Sequence, residues 1–256
     1  MADRRPSATS LRSRKGTAFP VITAYDAALA ACAEAAGIDV LLVGDSLGNV
    51  VLGYSSTVPV DLNDMCRHAG AVVRGSRKAH VIVDLPFGTY EPSDADAVRS
   101  SVELIKTGGG SVKLEGGVRV AARIAAIVAA GIPVVAHIGV VPQTAGLQAG
   151  FRRQSGREAL LADARAVEAA GAFAVVLEMV DPALAAEVTA ALAIPTIGIG
   201  SGPHCDGQVL VMHDMLGLYA EAPPFAKRYA DLAAVATDAL RAYADEVRGR
   251  TFPPPT

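Results

Sequence analysis

Two hydrophobic rhythms alternate along the chain. Short runs rich in Val, Ile and Leu recur, and each stops on a polar or ionisable residue. The runs are Val40-Leu-Leu-Val43 before Gly44-Asp45-Ser46, then Val81-Ile-Val-Asp84, Val112-Lys-Leu-Glu115, Val134-Val-Ala-His137 and Val175-Val-Leu-Glu178. Between them lie Ala-rich stretches whose apolar residues recur at helical spacing. Buried strands alternating with amphipathic helices predict parallel βα units. Strands that all carry chemistry at one end describe an α/β fold of the (β/α)8 TIM-barrel type, with its site at the C-terminal face.

The pattern predicts strands over 19–23, up to Asp45, and over 79–84, 111–115, 132–138, 172–178, 194–199 and 208–212. Helices are expected over 27–36, from Asp61 to near Gly75, and over 93–106, 118–130, 157–170 and 183–192. Asp26, Asp61 with Asp64, and Ser93 supply helix starts, Pro182 suits a first turn, and Gly37, Gly131 and Gly171 supply helix ends. The connections 47–60 and 139–156 read as loops, the second long enough for a lid or binding loop. A last amphipathic helix is expected to carry Phe225, Tyr229, Leu232, Ala236, Tyr243 and Val247 on one face. The organisation expected is a mobile tail with a short helix over 1–17, a single barrel with its C-terminal helix over 18–250, and a disordered tail over 251–256.

With 256 residues, 51% of them hydrophobic, the chain can bury one barrel-sized core. A net charge of −3 without a long basic stripe argues against nucleic acid as a partner. No apolar run is long enough to span a membrane. Three isolated cysteines without metal-ligand spacing fit reduced thiols in a cytoplasmic protein. Arg4, Arg5, Arg12, Arg14 and Lys15 superficially suggest a transit peptide, but the segment is too short and lacks an apolar core.

The chemistry lies in the strand ends. Asp45, Asp84 and Glu115 would converge as neighbours on the barrel face, where like charges need a cation. Oxygen donors without cysteine favour a hard ion, magnesium first. Because Mg²⁺ takes one or two direct carboxylates, Asp45 and Asp84 are assigned as ligands, with Glu115 acting through water. Lys113 shares a strand face with Glu115 and would hold a substrate carboxylate or carbonyl oxygen, or form a Schiff base. His137 reads either as a buried structural histidine or as a donor to substrate. Glu178, flanked by Leu177 and Met179, would have a raised pKa and serve as a base. Gly198-Ile-Gly-Ser-Gly202 has the look of a barrel phosphate loop.

Ile22-Thr-Ala-Tyr-Asp26, Leu42-Val-Gly-Asp-Ser-Leu-Gly48, Asp84-Leu-Pro-Phe87, Val112-Lys-Leu-Glu-Gly-Gly117 and Ala136-His-Ile-Gly139 occur in order along the chain. Glu168-Ala-Ala-Gly-Ala172, Ile194-Pro-Thr-Ile-Gly-Ile-Gly200 and Asp206-Gly-Gln-Val-Leu-Val-Met-His-Asp214 follow. In these phrases the sequence resembles the 3-methyl-2-oxobutanoate (ketopantoate) hydroxymethyltransferase family. The resemblance implies a barrel of the phosphoenolpyruvate/pyruvate-binding superfamily, commonly a homodecamer. It implies hydroxymethyl transfer from 5,10-methylenetetrahydrofolate to 3-methyl-2-oxobutanoate through a Mg²⁺-stabilised enolate, giving 2-dehydropantoate for pantothenate. Carried over by position, the metal ligands are Asp45, Asp84 and Glu115, and the substrate contacts are Asp45, Ser46, Asp84 and Lys113, with His137 nearby. The proton acceptor is Glu178.

Three features depart from the family pattern: Ser55-Ser56-Thr57 where Asp usually precedes Ser-Thr, Pro142-Gln-Thr-Ala-Gly146 where Pro-Gln-Ser is usual, and a shorter loop around Arg152 to Gly156. These bear on folate and on the choice of keto acid. Two rivals stand beside this reading. A Mg²⁺-dependent carbon–carbon lyase would release retro-aldol products without folate. A non-catalytic 2-keto-acid-binding protein would bind without proton exchange.

Overall fold

Inward-facing residues at a period of two explain how the barrel is filled and why its rim is polar. A computed structural model describes residues 5–148 and 156–254. The strands are β1 (Phe19–Thr23), β2 (Val40–Val43), β3 (His80–Asp84), β4 (Ser111–Glu115), β5 (Val134–Gly139), β6 (Ala174–Glu178), β7 (Thr196–Ile199) and β8 (Gly207–Leu210). They close in sequence order into a parallel barrel. Phe19, Val21, Val40, Leu42, Ile82, Val135, Ala174, Val176, Ile197 and Val209 form one buried cluster. These alternate residues fill the interior, as the pleat requires. One step further along the same face, Ile82 leads to Asp84, Val135 to His137 and Val176 to Glu178. The polar tips therefore continue the core's own inward register.

The helices are α1 (Ala8–Arg12), α2 (Ala27–Ala35), α3 (Leu47–Val50), α4 (Leu62–Gly75), α5 (Asp94–Lys106), α6 (Ala121–Ala129), α7 (Pro142–Gln148), α8 (Arg157–Ala169), α9 (Pro182–Ala191), α10 (Met212–Leu216) and α11 (Leu232–Arg248). A single 3₁₀ turn, Val118–Val120, leads into α6. Several helix starts follow the sequence signals closely. Asp61 and Asp64 form a reciprocal capping box on α4, Ser93 caps α5, and Asp26 caps α2. Gly37 ends the α2 segment at φ +83°, a conformation that favours a residue without Cβ.

The structure corrects several boundaries. Strand β2 stops at Val43 rather than Asp45, because Gly44–Ser46 turns into the short helix α3. The segment read as a loop after β5 contains α7. Residues 208–212 are not all strand, since Met212 opens α10. Phe225 and Tyr229 precede α11, which starts at Leu232 behind its cap Asp231. Positions 149–155, including Arg152 and the shortened loop, lie outside the described residues, as do Arg4 and the last two residues.

The chain separates into two compact units, Met1–Val209 and Leu210–Thr256. In the second, Gly217 ends α10 in the left-handed region at φ +66°, and Tyr243 packs edge-on against Phe252 with ring centroids 5.4 Å apart. No side chain of α11 is buried, and Val235, Leu240, Tyr243 and Val247 are exposed along it.

In the first unit, Asp206 anchors the foot of the barrel. Its carboxylate accepts from the backbone N–H of Gly16 (2.7 Å) and Thr196 (2.8 Å) and from Lys15 Nζ (3.0 Å). Its carbonyl accepts from Phe19 N–H at 3.2 Å, bringing the start of β1 to the start of β8. Burial alone would raise the Asp206 pKa, but these donors outweigh it and hold it below the usual carboxylate range. Asp206→Ala is expected to cost about 3 kcal/mol, since it strands several buried donors at once. The sign follows from the depressed pKa: the contribution is complete above the unfolded carboxyl pKa of about 4 and is lost as pH falls through the folded value. Denaturant unfolding of both proteins should show the gap at pH 7 and its closure in acid. An equal gap at both pH values would contradict this role.

Candidate active site

Five successive strand ends supply the site. Asp45 and Ser46 stand in the turn after β2, Asp84 closes β3, Lys113 and Glu115 lie on β4, His137 lies on β5, and Glu178 closes β6. In register, Asp84 pairs with Lys113, Glu115 with His137, and Gly139 with Glu178. Asp45 does not follow the inward period, which falls on Gly44. It reaches the others from the turn, where its N–H donates to Asp84 Oδ2 at 3.1 Å.

The side chains form one continuous chain of contacts. Lys113 Nζ lies 2.9 Å from Asp84 Oδ1 and 3.4 Å from His137 Nδ1. His137 Nδ1 lies 3.3 Å from Glu115 Oε1, and its Nε2 lies 3.3 Å from Glu178 Oε2. All are buried except Glu178, whose side chain keeps 18% of its accessible surface. Glu178 is thus placed against an imidazole, rather than among the apolar neighbours that its sequence context suggested. Ser46 Oγ shares a 2.8 Å hydrogen bond with the hydroxyl of Tyr25, which is buried at the end of β1.

Charge explains the protonation pattern. Burial and nearby Lys113 push His137 down, but Glu115 and Glu178 prevail and raise it to about 9. Each ring nitrogen lies 3.3 Å from a carboxylate oxygen, so His137 stands between Glu115 and Glu178 while the Lys113 ammonium pairs with Asp84. Burial disfavours charged Lys113, yet Asp84, Glu115 and Asp45 together hold its pKa above the ordinary lysine value. Glu115 is depressed despite its burial because His137 and Lys113 face it. Asp45 goes the other way: burial first, then Asp84 and Glu115, raise it to about 8.

Four carboxylates therefore share two cationic groups; burial raises Asp84 as well as Asp45, but Asp84 has Lys113 against it. Among the described residues no group of three or more His, Cys, Asp or Glu side chains is arranged to hold a metal ion. Mg²⁺ usually takes one or two direct carboxylates and fills its remaining positions with water or substrate oxygens, and Asp45 and Asp84, adjacent and oxygen-only, are the donor types it requires.

Sequence reasoning missed two members of this network. Gln143, on the first turn of α7, donates from Nε2 to Asp45 Oδ2 at 2.8 Å. Tyr90, between β3 and α5, touches both Gln143 and Glu115. Neither residue type titrates near neutrality or follows a strand period, so no composition signal marked them. The glycine-rich turn after β7 shows a structural use. Ser201 Oγ donates to the Leu177 carbonyl at 2.7 Å and accepts from Val180 N–H at 3.0 Å, bracing the end of β6.

Comparison with known proteins places the chain in a family. The family model described as ketopantoate hydroxymethyltransferase matches residues 6–255. A 3-methyl-2-oxobutanoate hydroxymethyltransferase of Chloroflexus aurantiacus is 55% identical, covering 94% of this chain and 87% of its own. Proteins of the same name from Carboxydothermus hydrogenoformans and Streptomyces coelicolor are 50% and 53% identical, covering 97% and 93% of this chain and 93% and 84% of their own. Among solved structures, 2,3-dimethylmalate lyase superposes with a TM-score of 0.64 at 20% identity, covering 100% of this chain and 91% of its own. Phosphoenolpyruvate phosphomutase from Streptomyces platensis subsp. rosaceus gives 0.66 at 16%, covering 95% and 88%. The lyase and the mutase share the barrel of the phosphoenolpyruvate mutase/isocitrate lyase superfamily. At that identity they speak to fold alone, whereas the hydroxymethyltransferases match in sequence over most of both chains. The chain belongs to the ketopantoate hydroxymethyltransferase family.

Proposed function

We propose that the chain transfers a hydroxymethyl group from 5,10-methylenetetrahydrofolate to 3-methyl-2-oxobutanoate, giving 2-dehydropantoate on the way to pantothenate. Family membership makes it a hydroxymethyltransferase, which sets aside the lyase and the non-catalytic binder. The observation that carries the finer reading is the single contact chain Asp84–Lys113–His137–Glu178, with Asp45 and Glu115 beside it. It supports a reading in which Lys113 is the cationic anchor, Asp45, Asp84 and Glu115 are oxygen ligands and the partly exposed Glu178 is the base.

A Mg²⁺ ion held by Asp45 and Asp84, with Glu115 reaching it through water, would supply Lewis acidity to the ketone. Lys113, buried and positively charged, engages the keto acid's carboxylate, and the Ser46 hydroxyl, oriented by Tyr25, supports the same group. Glu178 takes the proton from C3, a step worth roughly 10²–10⁴-fold for a placed base. His137 Nε2 holds the Glu178 carboxylate in position for that transfer. The freed carbon bonds to the one-carbon unit, released from the folate with water as formaldehyde, and the formaldehyde oxygen becomes the new hydroxyl by taking back the proton held on Glu178.

No helix among the described residues is long and apolar enough to cross a membrane. A cytoplasmic homodecamer is part of the same proposal. The exposed Val235, Leu240, Tyr243 and Val247 of α11 support burial against further copies.

The test incubates protein, Mg²⁺, 5,10-methylenetetrahydrofolate and a panel of 2-keto acids, and reads products by mass. Addition of one hydroxymethyl group to 3-methyl-2-oxobutanoate is expected, and its absence with that acid alone would shift the reading to another keto acid.

A further inference from the structure

Gln143 is almost wholly enclosed, at 1% exposure, and three of its polar groups are committed. Its Nε2 donates to Asp45 Oδ2 (2.8 Å) and to the Leu85 carbonyl (2.9 Å), while its backbone N–H donates to Glu115 Oε2 at 3.0 Å. Its Oε1 lies 2.6 Å from the hydroxyl of fully buried Tyr90. The orientation of this amide follows from its partners. The Leu85 carbonyl can only accept, so the NH₂ must face it and Asp45. The Tyr90 hydroxyl also lies 3.2 Å from the Glu115 carbonyl and 3.3 Å from the Glu115 N–H. Its one proton goes to the shorter contact, Gln143 Oε1, leaving its oxygen to accept from Glu115 N–H.

One residue thus ties β2's acid to β4's acid. Asp45 and Glu115 repel each other, and although the Lys113 ammonium attracts both, no hydrogen bond from either strand fixes where their oxygens point. Gln143 bridges them with two donors that cannot ionise and so adds no charge to compete with a cation.

We propose that Gln143, locked by Tyr90, is the positioning residue of the cation site. It holds Asp45 Oδ2 so that the other oxygen faces the ion, and it keeps Glu115 at the distance of a water-mediated contact. The proposal rests on the reading of Asp45, Asp84 and Glu115 as that site. Outer partners of ligands typically contribute 10–100-fold to ion affinity.

The experiment measures Mn²⁺ binding to substrate-free protein by electron paramagnetic resonance, together with thermal unfolding, for wild type and three variants. Gln143→Met keeps the side chain's length without its donors and is expected to raise the Mn²⁺ dissociation constant about 10–100-fold. The keto-acid KM should rise with it, more than kcat falls. Tyr90→Phe removes only the hydroxyl that orients the amide, so it should weaken binding in the same direction by less. Ser201→Ala loses a buried hydroxyl outside this network and should lower the melting temperature without changing Mn²⁺ affinity. Should Gln143→Met fail to fold, Tyr90→Phe carries the test. Wild-type affinity in the folded variants overturns the assignment of Gln143, whereas a wild type that binds no Mn²⁺ overturns the underlying ion site instead.

Discussion

Glu178→Gln is expected to suppress exchange of the C3 hydrogen of 3-methyl-2-oxobutanoate by roughly 10²–10⁴-fold while leaving keto-acid affinity close to wild type. Glutamine preserves length and can still accept from His137 Nε2, which lies 3.3 Å from the native carboxylate. It cannot take a proton. The surrounding backbone should survive the change. The Glu178 carbonyl accepts from Val140 N–H at 2.9 Å, Ser201 brackets Leu177 and Val180, and Met179 sits at φ +51° with its N–H on the Ile199 carbonyl. A non-glycine residue in the left-handed region is strained, and such strain persists only where neighbours hold it. Here it turns the chain immediately after the proposed base. The measurement is proton NMR of the keto acid in D₂O with Mg²⁺ and no folate. Wild-type exchange in the variant would assign the base elsewhere.

Two neighbouring acids should respond differently to the same chemical change. Asp84→Asn removes the partner of Lys113 and one ion ligand together. It is expected to lower stability by about 3 kcal/mol, the order found when one member of a buried ion pair is removed, and to abolish both ion and keto-acid binding. Asp45→Asn should also lose the ion. Its stability should not fall, because Asp45 is crowded by Asp84 and Glu115 and its amide counterpart still accepts from Gln143. Denaturant unfolding and calorimetric titration with Mg²⁺ read both quantities. Equal destabilisation by the two substitutions would contradict this division of charge.

The strands with polar tips were legible because the inward period of the core runs straight into the site: Ile82 to Asp84, Val135 to His137, Val176 to Glu178. Helix starts at Asp26, Asp61 and Ser93 were legible because side-chain capping leaves a local mark in sequence. What was hidden depends on tertiary placement. Helices α3 and α7 are too short for a periodic signal and hold Gly48 and Gly146, poor helix formers, so they read as loops. Phe225 and Tyr229 matched the apolar stripe of the last helix, yet the chain enters that helix only at Leu232, where Asp231 provides a cap. Gln143 gave no sign because an uncharged amide gains meaning only when Asp45, Leu85, Tyr90 and Glu115 surround it. The apolar flanks of Glu178 misled for a related reason. Leu177 faces away, and the imidazole that actually meets Glu178 comes from a different strand.

Anomalous scattering from a crystal soaked in Mn²⁺ and 3-methyl-2-oxobutanoate tests the central claim most directly. The account predicts a single peak between the carboxylates of Asp45 and Asp84, with the keto acid's oxygens turned toward it and Lys113 on its carboxylate. Density for the keto acid with no peak there, and with Asp84 still paired to Lys113, would contradict it.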